Sequence, residues 1–399
     1  MRGCPMPWKE SCCMTERARF VLEALEHWSS MAELCDRFGI SRRVGYKWVE
    51  RYRREGLAGL EDRSRAPERQ AGLTAPAVVA EIVALRQAHP HWGPRKLRAR
   101  LETLKPDMSW PASSTIGAIL QREGLITRRR RRRRSLGAWS TPRTAADAPN
   151  RVWTADFKGQ FRLGEGRLCY PLTIVDRYSR YLVACQALPS TSADGARATF
   201  ERVFRSYGLP EVIRTDNGVP FSAVAIGGLS QLAVWWIRLG IRLERTRPAH
   251  PQDNGAHERM HRTLKAEATR PARHTPALQQ RAFDAFRAVY NDERPHESLG
   301  QETPAKHYGT SSRTMPEVLA PIDYPDGFQT RRITCNGLLR WESHCYFVSE
   351  TLTRQTVGLE PTDDGWWRLH FGPVVLGQLD AKAGVLHPYG RGLSPRKAM

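Results

Sequence analysis

The sequence predicts a multidomain chain with helical modules at the N-terminus, a central α/β layer domain and a small C-terminal β domain. In the first third, apolar residues recur at three- and four-residue spacing, which is typical of helices. In the middle, β-rich runs alternate with amphipathic helices. In the last part, short β candidates are separated by Gly-rich turns. The 399 residues leave room for two to four domains with cores of their own.

The charge is strongly unbalanced, because 62 Lys and Arg face 41 Asp and Glu and give a net charge of +21. Such an excess attracts polyanions, and nucleic acid is the usual one because its neutralised phosphates release counterions. Eight cysteines without a C-x-x-C pair fit reduced thiols better than a disulfide framework. No apolar run approaches the roughly 18 residues of a membrane span. We therefore expect a cytoplasmic, nucleoid-associated protein with no membrane contact.

Residues 15–70 show the pattern of a helix-turn-helix DNA-binding domain. Two apolar-periodic helices are followed by a break at Gly39-Ile40, and Ser41 is a good N-cap for a basic helix. That helix would lie in the major groove. An ordinary three-helix bundle with a solvated basic face is the alternative. The residues of the basic helix predicted to contact DNA are Arg42, Arg43, Tyr46, Lys47 and Arg51.

Residues 71–127 repeat the theme and are predicted to form a second helix-turn-helix DNA-binding domain. A helix, a Pro/Gly turn and a helix are followed by a third helix with an apolar stripe at Ile116, Ile119 and Leu120. Residues 128–149 then form a basic linker that begins with seven arginines, a charge density that resists folding. We interpret this run as a contact to the DNA backbone, through residues that include Arg128, Arg129, Arg130 and Arg131.

Residues 150–309 are predicted to form the α/β domain. The predicted order is three strands, a helix closed by Gly208, a strand, a helix stopped by Gly240, a strand and two helices. Residues 310–392 are predicted to form the small β domain, as a barrel or a sandwich.

Three carboxylates of the α/β domain are candidates for chemistry. Asp156 lies inside the first strand, on the face opposite Trp153, where a carboxylate is costly unless it is paired or bound to a metal. Asp216 ends a strand, where open α/β sheets place their sites. Glu258 lies about one turn into a helix that Pro251 to Gly255 begins.

These oxygen ligands suit Mg²⁺ or Mn²⁺ rather than zinc. Two such ions, roughly 3.5–4 Å apart, can promote phosphodiester chemistry. No G-x-x-x-x-G-K-[ST] phosphate loop is present in the sequence, so we expect no use of ATP.

Three other acids compete for a catalytic role. Asp176 ends the second strand and is more consistent with a turn cap, and Asp253 with a helix cap. Glu244 lies in a strand between Arg242 and Arg245 and is expected to pair with them.

The helix of Glu258 also carries cations and histidines. Glu258, His261, Arg262 and Lys265 are spaced i, i+3, i+4 and i+7 and are predicted to share one face that contacts DNA. His257 is expected on another face. The string H-E-R-M-H matches the H-E-x-x-H zinc-protease motif, but its setting among oxygen ligands in a basic chain disfavours that interpretation.

As a set, these motifs resemble bacterial insertion-sequence transposases of the DDE class, whose catalytic core is of the retroviral-integrase type. The resemblance rests on WTADFKG (153–159), LTIVDRYSRY (172–181), RTDNGVPF (214–221), PAHPQDNGAHERMHRTLK (248–265) and YNDERPHESLGQETPAKHY (290–308), together with the helix-turn-helix segments. It implies an RNase H-like core with Asp156, Asp216 and Glu258 as catalytic, metal-binding acids. The interval from Asp216 to Glu258 is longer than in many relatives, and the excess falls in the Gly-rich segment 222–231.

The resemblance also implies an activity, namely DNA cleavage at the ends of an insertion sequence followed by strand transfer, with two Mg²⁺ or Mn²⁺ ions. The partners would be terminal inverted repeats, target DNA and further copies of the chain in a synaptic complex. A catalytically silent DNA-binding regulator and a metal-dependent endonuclease that cuts without joining are the alternatives.

Overall fold

The computed structural model describes residues 12–63, 74–126, 144–246, 255–362 and 365–389. The chain divides into two compact units, residues 1–73 and 74–399. Among the described residues, no helix has the length and apolar character needed to cross a membrane.

The first unit consists of helices α1 (Cys13–Leu25), α2 (Met31–Arg37) and α3 (Arg42–Glu55). Ser41 caps α3 as predicted, since its hydroxyl accepts a hydrogen bond from the Val44 amide. The three helices enclose a small core that includes Phe20 and Trp48. Gly45 permits the close approach of α3, because a Cβ there would lie 2.6 Å from Cys35 Sγ.

The second unit begins with helices α4 (Pro76–Ala88), α5 (Pro94–Leu104) and α6 (Ser113–Arg122). The predicted apolar stripe of Ile116, Ile119 and Leu120 is buried against Trp92 and other apolar residues of α4 and α5. These helices also contact the α/β layer, since Arg100 pairs with Glu293 at 3.2 Å.

A mixed sheet lies at the centre of the second unit. Its strands are β1 (Val152–Phe157), β2 (Phe161–Arg162), β3 (Leu168–Asp176), β4 (Leu182–Leu188), β5 (Val212–Thr215) and β6 (Arg242–Arg245). The antiparallel run β4-β3-β1 is the predicted three-strand meander, and β2 pairs with the start of β3. Strands β1, β5 and β6 are mutually parallel neighbours. The carboxyl ends of β1 and β5 therefore meet at one edge of the sheet.

Helices cover both faces of this sheet. On one face, Trp153 and Ala155 pack with α7 (Ala193–Tyr207) and α8 (Gln231–Arg238). On the other face, Val175 packs with α9 (Gly255–Glu267) and α10 (Pro276–Ala288). Because side chains alternate along β1, Thr154 and Asp156 are directed to the second face, as the sequence predicted.

The C-terminal strands form an antiparallel sheet and a separate hairpin. The strands are β7 (Gln329–Arg332), β8 (Leu338–Trp341), β9 (His344–Phe347), β10 (Thr356–Pro361), β11 (Trp367–Phe371), β12 (Val374–Asp380) and β13 (Val385–Pro388). The sheet has the order β13-β12-β11-β10-β7 and the hairpin is β8-β9. Both contribute to one apolar core. Among the described residues β7 and β13 do not pair with each other, so this sheet is open rather than a closed barrel.

Helix α8 explains how the C-terminal sheet is attached. Its Trp235 and Trp236 pack in the core of the α/β layer. Its Val234 and Ile237 pack in the core of the C-terminal sheet. A helix buried on both sides has to be apolar almost all round, which is what its sequence shows. The Gly-rich segment 222–231 joins the same contact through Leu229, so the extra length before Glu258 lies against the C-terminal sheet.

Two segments that the sequence placed outside the α/β domain contact it closely. Thr144, within the expected linker, donates its amide to Glu244 at 3.0 Å and accepts from Arg214 at 3.1 Å. Downstream of residue 309, Arg313 accepts from the Leu209 amide and donates to the carbonyl of Pro210.

We expect Trp236→Ala to lower the free energy of unfolding of the second unit by about 3–5 kcal/mol, because it opens a cavity in a packed core. The side chain is 1% exposed. Urea denaturation followed by circular dichroism measures the change. Phe347→Ala is the matched control, since that aromatic side chain lies in the same unit and is 61% exposed, so its loss should change stability by less than about 1 kcal/mol. Equal stability of the two variants would contradict the described packing of α8.

Candidate active site

Asp156 is the most deeply placed of the three predicted acids. Its side chain retains 23% exposure, although it projects from the sheet interior. The pKa of this carboxyl is raised to about 7. Burial is the largest cause, and the negative charges of Asp216 and Glu258 add to it. Asp216 and Glu258 are therefore both near enough to Asp156 for their charges to raise its pKa.

The sheet register places Asp216 beside Asp156. Ala155 of β1 and Thr215 of β5 are Cα partners on parallel neighbouring strands. The next residue is Asp156 after the first and Asp216 after the second. Such strands are about 4.8 Å apart. The side-chain amide of Asn217 stabilises the turn after Asp216, because its Nδ2 donates to the Thr246 carbonyl at 2.8 Å.

Gly218 shapes the turn for the Asp216 carboxylate. Its amide donates to Asp216 Oδ1 at 3.1 Å. A Cβ at this position would lie 3.0 Å from Asp216 Oδ2, so a larger residue would push the carboxylate away. Asp216 stays exposed at the edge of the sheet.

Glu258 lies in the first turn of α9 and is exposed. The next turn of the same face carries Arg262 and Lys265, which are exposed as predicted. Asp253, the expected helix cap, lies outside the described residues.

The opposite side of α9 is anchored to the sheet by two buried histidines. His257 is 1% exposed and His261 is 8% exposed. Both Nε2 atoms lie 2.7 Å from the Thr173 hydroxyl, and His257 Nδ1 lies 2.9 Å from the Thr154 hydroxyl. The prediction that His261 shares the DNA-facing side with Glu258 is therefore wrong, because its ring is enclosed between helix and sheet.

Counting donors assigns the protons of this network. Thr173 has one hydroxyl proton, which it donates to the Asp156 carbonyl at 3.0 Å. Both histidines must then donate Nε2–H to the Thr173 oxygen. Thr154 donates to His257 Nδ1, which is nearer than the competing Val175 carbonyl at 3.4 Å. His261 Nδ1 is left as an acceptor, 3.7 Å from Asp156 Oδ2.

The contact between His261 and Asp156 is not an ion pair at neutral pH. Burial, followed by the charge of Lys158, lowers the pKa of His261 to about 3. Burial and the neighbouring His261 also hold the pKa of His257 well below its usual range. A neutral acceptor nitrogen beside a carboxylate is unfavourable unless a proton or a cation accompanies the carboxylate.

Nitrogen and oxygen atoms of Asp156, His257 and His261 all lie within 4.8 Å of one another, which is a spacing that metal ligands can have. Three of the four ring nitrogens, however, are already hydrogen-bonded to Thr154 and Thr173. This cluster is therefore better explained as a polar anchor for α9 than as a zinc site. The oxygen donors of Asp156, Asp216 and Glu258 do fit a divalent cation, because a cation would relieve the repulsion that raises the Asp156 pKa.

The remaining acids have structural roles. Asp176 is fully buried and accepts hydrogen bonds from the Asn150 amide, the Ser179 amide and the Ser179 hydroxyl, so it caps the turn as expected. Glu244 is ion-paired, but not with Arg242 and Arg245 as the sequence suggested. Its partner is Arg214 at 2.6 Å, because neighbouring strands β5 and β6 place residues 214 and 244 in register.

The predicted DNA contacts of the first unit lie on α3. Arg42, Arg43, Tyr46 and Lys47 are exposed. Arg51 is half-buried, with its guanidinium 5.3 Å from the centre of the Trp48 ring. Arg128, Arg129, Arg130 and Arg131 lie outside the described residues.

Sequence reasoning missed Thr154 and Thr173 as parts of the site. A signal was available in β1, where Thr154 and Asp156 alternate onto the same face.

We expect Thr173→Val to lower the free energy of unfolding by about 1–3 kcal/mol, because the buried donors of His257 and His261 lose their shared acceptor. Urea denaturation without added divalent cations measures this. Thr103→Val is the matched control, since Thr103 is exposed and bonds only the Ala99 carbonyl of its own helix. A cost no greater than the control's would show that the anchor does not have the geometry described.

Comparison with known proteins supports the architecture. Models of the integrase core domain match residues 146–251 and 239–304. A helix-turn-helix domain matches residues 16–68, and a homeodomain-like domain matches residues 44–120.

Two relatives are proteins of bacterial insertion elements. The insertion element IS407 uncharacterized 31.7 kDa protein of Burkholderia multivorans is 28% identical, over 59% of this chain and 83% of its own length. The insertion element IS476 uncharacterized 39.2 kDa protein of Xanthomonas euvesicatoria is 28% identical, over 65% of this chain and 72% of its own length.

Among solved structures, the HTLV-2 integrase catalytic core domain in complex with magnesium aligns with 16% identity and a TM-score of 0.33, over 41% of this chain and 98% of that one. The chain therefore contains matches to helix-turn-helix domains and to the integrase core domain, and it is similar to two proteins of bacterial insertion elements.

Proposed function

We propose that this protein cuts DNA at the ends of its insertion sequence and joins the freed ends to target DNA. The observation that carries the proposal is the convergence of Asp156, Asp216 and Glu258, in which two neighbouring strand ends and one helix bring three carboxylates to act on a single region. We infer that these are the catalytic acids of a DDE-type polynucleotidyl transferase.

The proposed reaction has two phosphoryl transfers. In the first, water attacks a phosphorus atom at the element's end, the bond from phosphorus to the 3′-oxygen breaks, and a 3′-hydroxyl is released. In the second, that 3′-hydroxyl attacks a target phosphodiester, and a new bond to phosphorus replaces the one that breaks. Each step exchanges one phosphorus–oxygen bond for another, so no ATP is required.

Asp156 and Asp216 would hold two Mg²⁺ or Mn²⁺ ions, and Glu258 would complete the ligand set. Bound there, the ions would polarise the phosphoryl group and favour deprotonation of the attacking hydroxyl. The protein's own contribution is positional. The register of β1 with β5 sets the two aspartates, and the buried histidine side of α9 sets Glu258. Arg262 and Lys265, exposed on the glutamate's face, would bind backbone phosphates beside it.

The helical segments would supply the recognition of DNA. Arg42, Arg43, Tyr46 and Lys47 on α3, which are exposed, would enter a major groove. Because two element ends must meet a target, we expect a dimer or larger assembly, acting in the cytoplasm on nucleoid DNA.

We expect Asp156→Asn, Asp216→Asn and Glu258→Gln each to reduce the rate of strand transfer by at least about 100-fold. Removing one group that stabilises charge in a transition state typically lowers the rate by this much. The assay incubates the protein with duplexes that carry the DNA flanking its gene, a target plasmid and Mg²⁺, and separates joined from nicked products. Binding of the same duplexes without Mg²⁺ should persist in all three variants.

Asp284→Asn is the matched control, because it removes an exposed carboxylate on α10 and retains the oxygen that accepts from Gln280. Its transfer activity should equal the wild type's. Full activity of all three acid variants would refute the assignment of these residues. Nicks without joined strands would favour an endonuclease, and binding without either product would favour a silent DNA-binding regulator.

A further inference from the structure

A cationic cavity lies along helix α9, which also carries Glu258, and has no role in the function derived so far. Its volume is about 270 Å³. It is bounded by α5, the turn between β3 and β4, α9 and the segment that follows α10. The residues that give it its character are Lys96, Arg180, Arg259, Arg294, His296 and Glu297.

Positive charge in the cavity exceeds the negative charge available to balance it. Arg294 is paired with Glu267 at 2.7 Å, and Glu297 is paired with Arg95 at 3.1 Å. Within the described part of the chain, Arg180 and Arg259 have no ion-pair partner. Arg180 is partly enclosed, whereas Arg259 is exposed. Enclosed charge without a partner is costly, and an anion bound beside Arg180 would recover that cost.

The cations also act on one another. Burial, and then the charges of Arg294 and Arg259, lower the pKa of Lys96 to about 8 against the opposing effect of Glu297 and Glu267. Burial and the charge of Arg259 likewise lower the pKa of Arg180. In addition, the Nε2 atom of His296 is buried and makes no hydrogen bond among the described residues.

Lys96 is held in place rather than solvated. Its ammonium donates to the carbonyl of Pro295, which leaves two of its three N–H donors for another acceptor. Arg180 and Arg259 add planar donor sets that match phosphate oxygens. The lining offers four cations around a space with room for a phosphate group and water, so the ligand class that it fits is a phosphate or phosphodiester.

The lining of the cavity selects between free phosphate and nucleic acid. Its wall on α9 is the face that carries Arg259, Met260 and Thr263, which lies roughly 150° around the helix from Glu258. Lys96 comes from α5, within the segment that matches a homeodomain-like domain. A DNA strand that extends from the carboxylate site around α9 towards this helical segment would therefore pass these cations.

We propose that this cavity binds one backbone phosphate of the element-end DNA, where the strand runs from the core to the helical segment. The contact would hold the DNA against α9, the helix on which Glu258 lies. This inference rests on the proposed function, because it assumes that the element's end reaches the carboxylates.

The test measures binding of a fluorescein-labelled duplex, carrying the DNA that flanks the gene, by anisotropy over a range of salt concentrations without Mg²⁺. Arg259→Gln and Arg180→Gln should each weaken binding about 5- to 10-fold and reduce the magnitude of the salt slope by about one. Arg259→Lys should restore part of the loss. Arg205→Gln is the matched control, because it removes an exposed arginine of α7 on the other face of the sheet and should change neither quantity.

A second measurement identifies the phosphate. Single methylphosphonates, which are neutral, replace phosphates one at a time near the end of the duplex. One position should weaken binding to the wild type several-fold and have no further effect on Arg259→Gln, since both changes remove the same contact. Additive losses at every position would overturn the proposal, and so would wild-type affinity in both arginine variants.

Two results separate this inference from the proposed function. If the wild type joins DNA ends but the cavity variants bind and join normally, the cavity inference fails and the transposase function stands. If the cavity variants lose binding as expected but the wild type never joins ends, the proposed transposase function fails and the cavity inference stands. Calorimetric titration with inorganic phosphate completes the test, since tight phosphate binding with no effect of Arg259→Gln on the duplex would assign the cavity to free phosphate and overturn the DNA assignment.

Discussion

The hydrogen bonds from His257 and His261 to Thr154 and Thr173 are the contacts on which the candidate site depends. They fix helix α9 on the sheet at the point where β1 delivers Asp156. Glu258 is covalently part of the same helical turn as His257, so anchoring the histidines also places the glutamate. Because both rings are neutral, the anchor adds no positive charge that would balance the acids. Asp156 thus keeps the raised pKa that burial and the neighbouring carboxylates give it.

The rest of the second unit holds this arrangement rigid. The parallel pairing of β1 with β5 aligns the two aspartates, and the Gly218 turn keeps the second one at the sheet edge. Helix α8 then joins two cores by burying opposite sides in the α/β layer and the C-terminal sheet. The C-terminal sheet therefore braces the face of the central sheet opposite α9, the helix that carries Glu258.

Much of this could be predicted from the sequence because it rests on local patterns. Alternation along β1 assigned Asp156 to the face opposite Trp153, and glycines ended α7 and α8 where expected. The orientation of His261 could not be decided in this way. At about 100° per residue, it lies roughly 60° from Glu258 and roughly 60° from Leu264. Spacing from Glu258 alone favoured the exposed side, whereas the apolar pair Met260 and Leu264 marks the buried one.

Other features depend on contacts between distant segments, which no local pattern reveals. Glu244 pairs across the sheet with Arg214 rather than along its own strand, since strand register outweighs sequence proximity. Thr144 is fixed by the same pair, although its neighbours are rich in residues typical of linkers. The cationic cavity combines Lys96 with Arg180 and Arg259, which lie far apart in the chain and meet only after the helical segment packs on the core.

The most direct test of the account is the position of a bound ion. Crystals of the full chain soaked in Mn²⁺ would give an anomalous difference map that locates the metal against named atoms. The account predicts a peak within coordination distance of carboxylate oxygens of Asp156 and Asp216, with His257 and His261 still bonded to Thr154 and Thr173. A peak coordinated by the nitrogens of His257 and His261, or no peak at the carboxylates when Mn²⁺ supports activity, would contradict it.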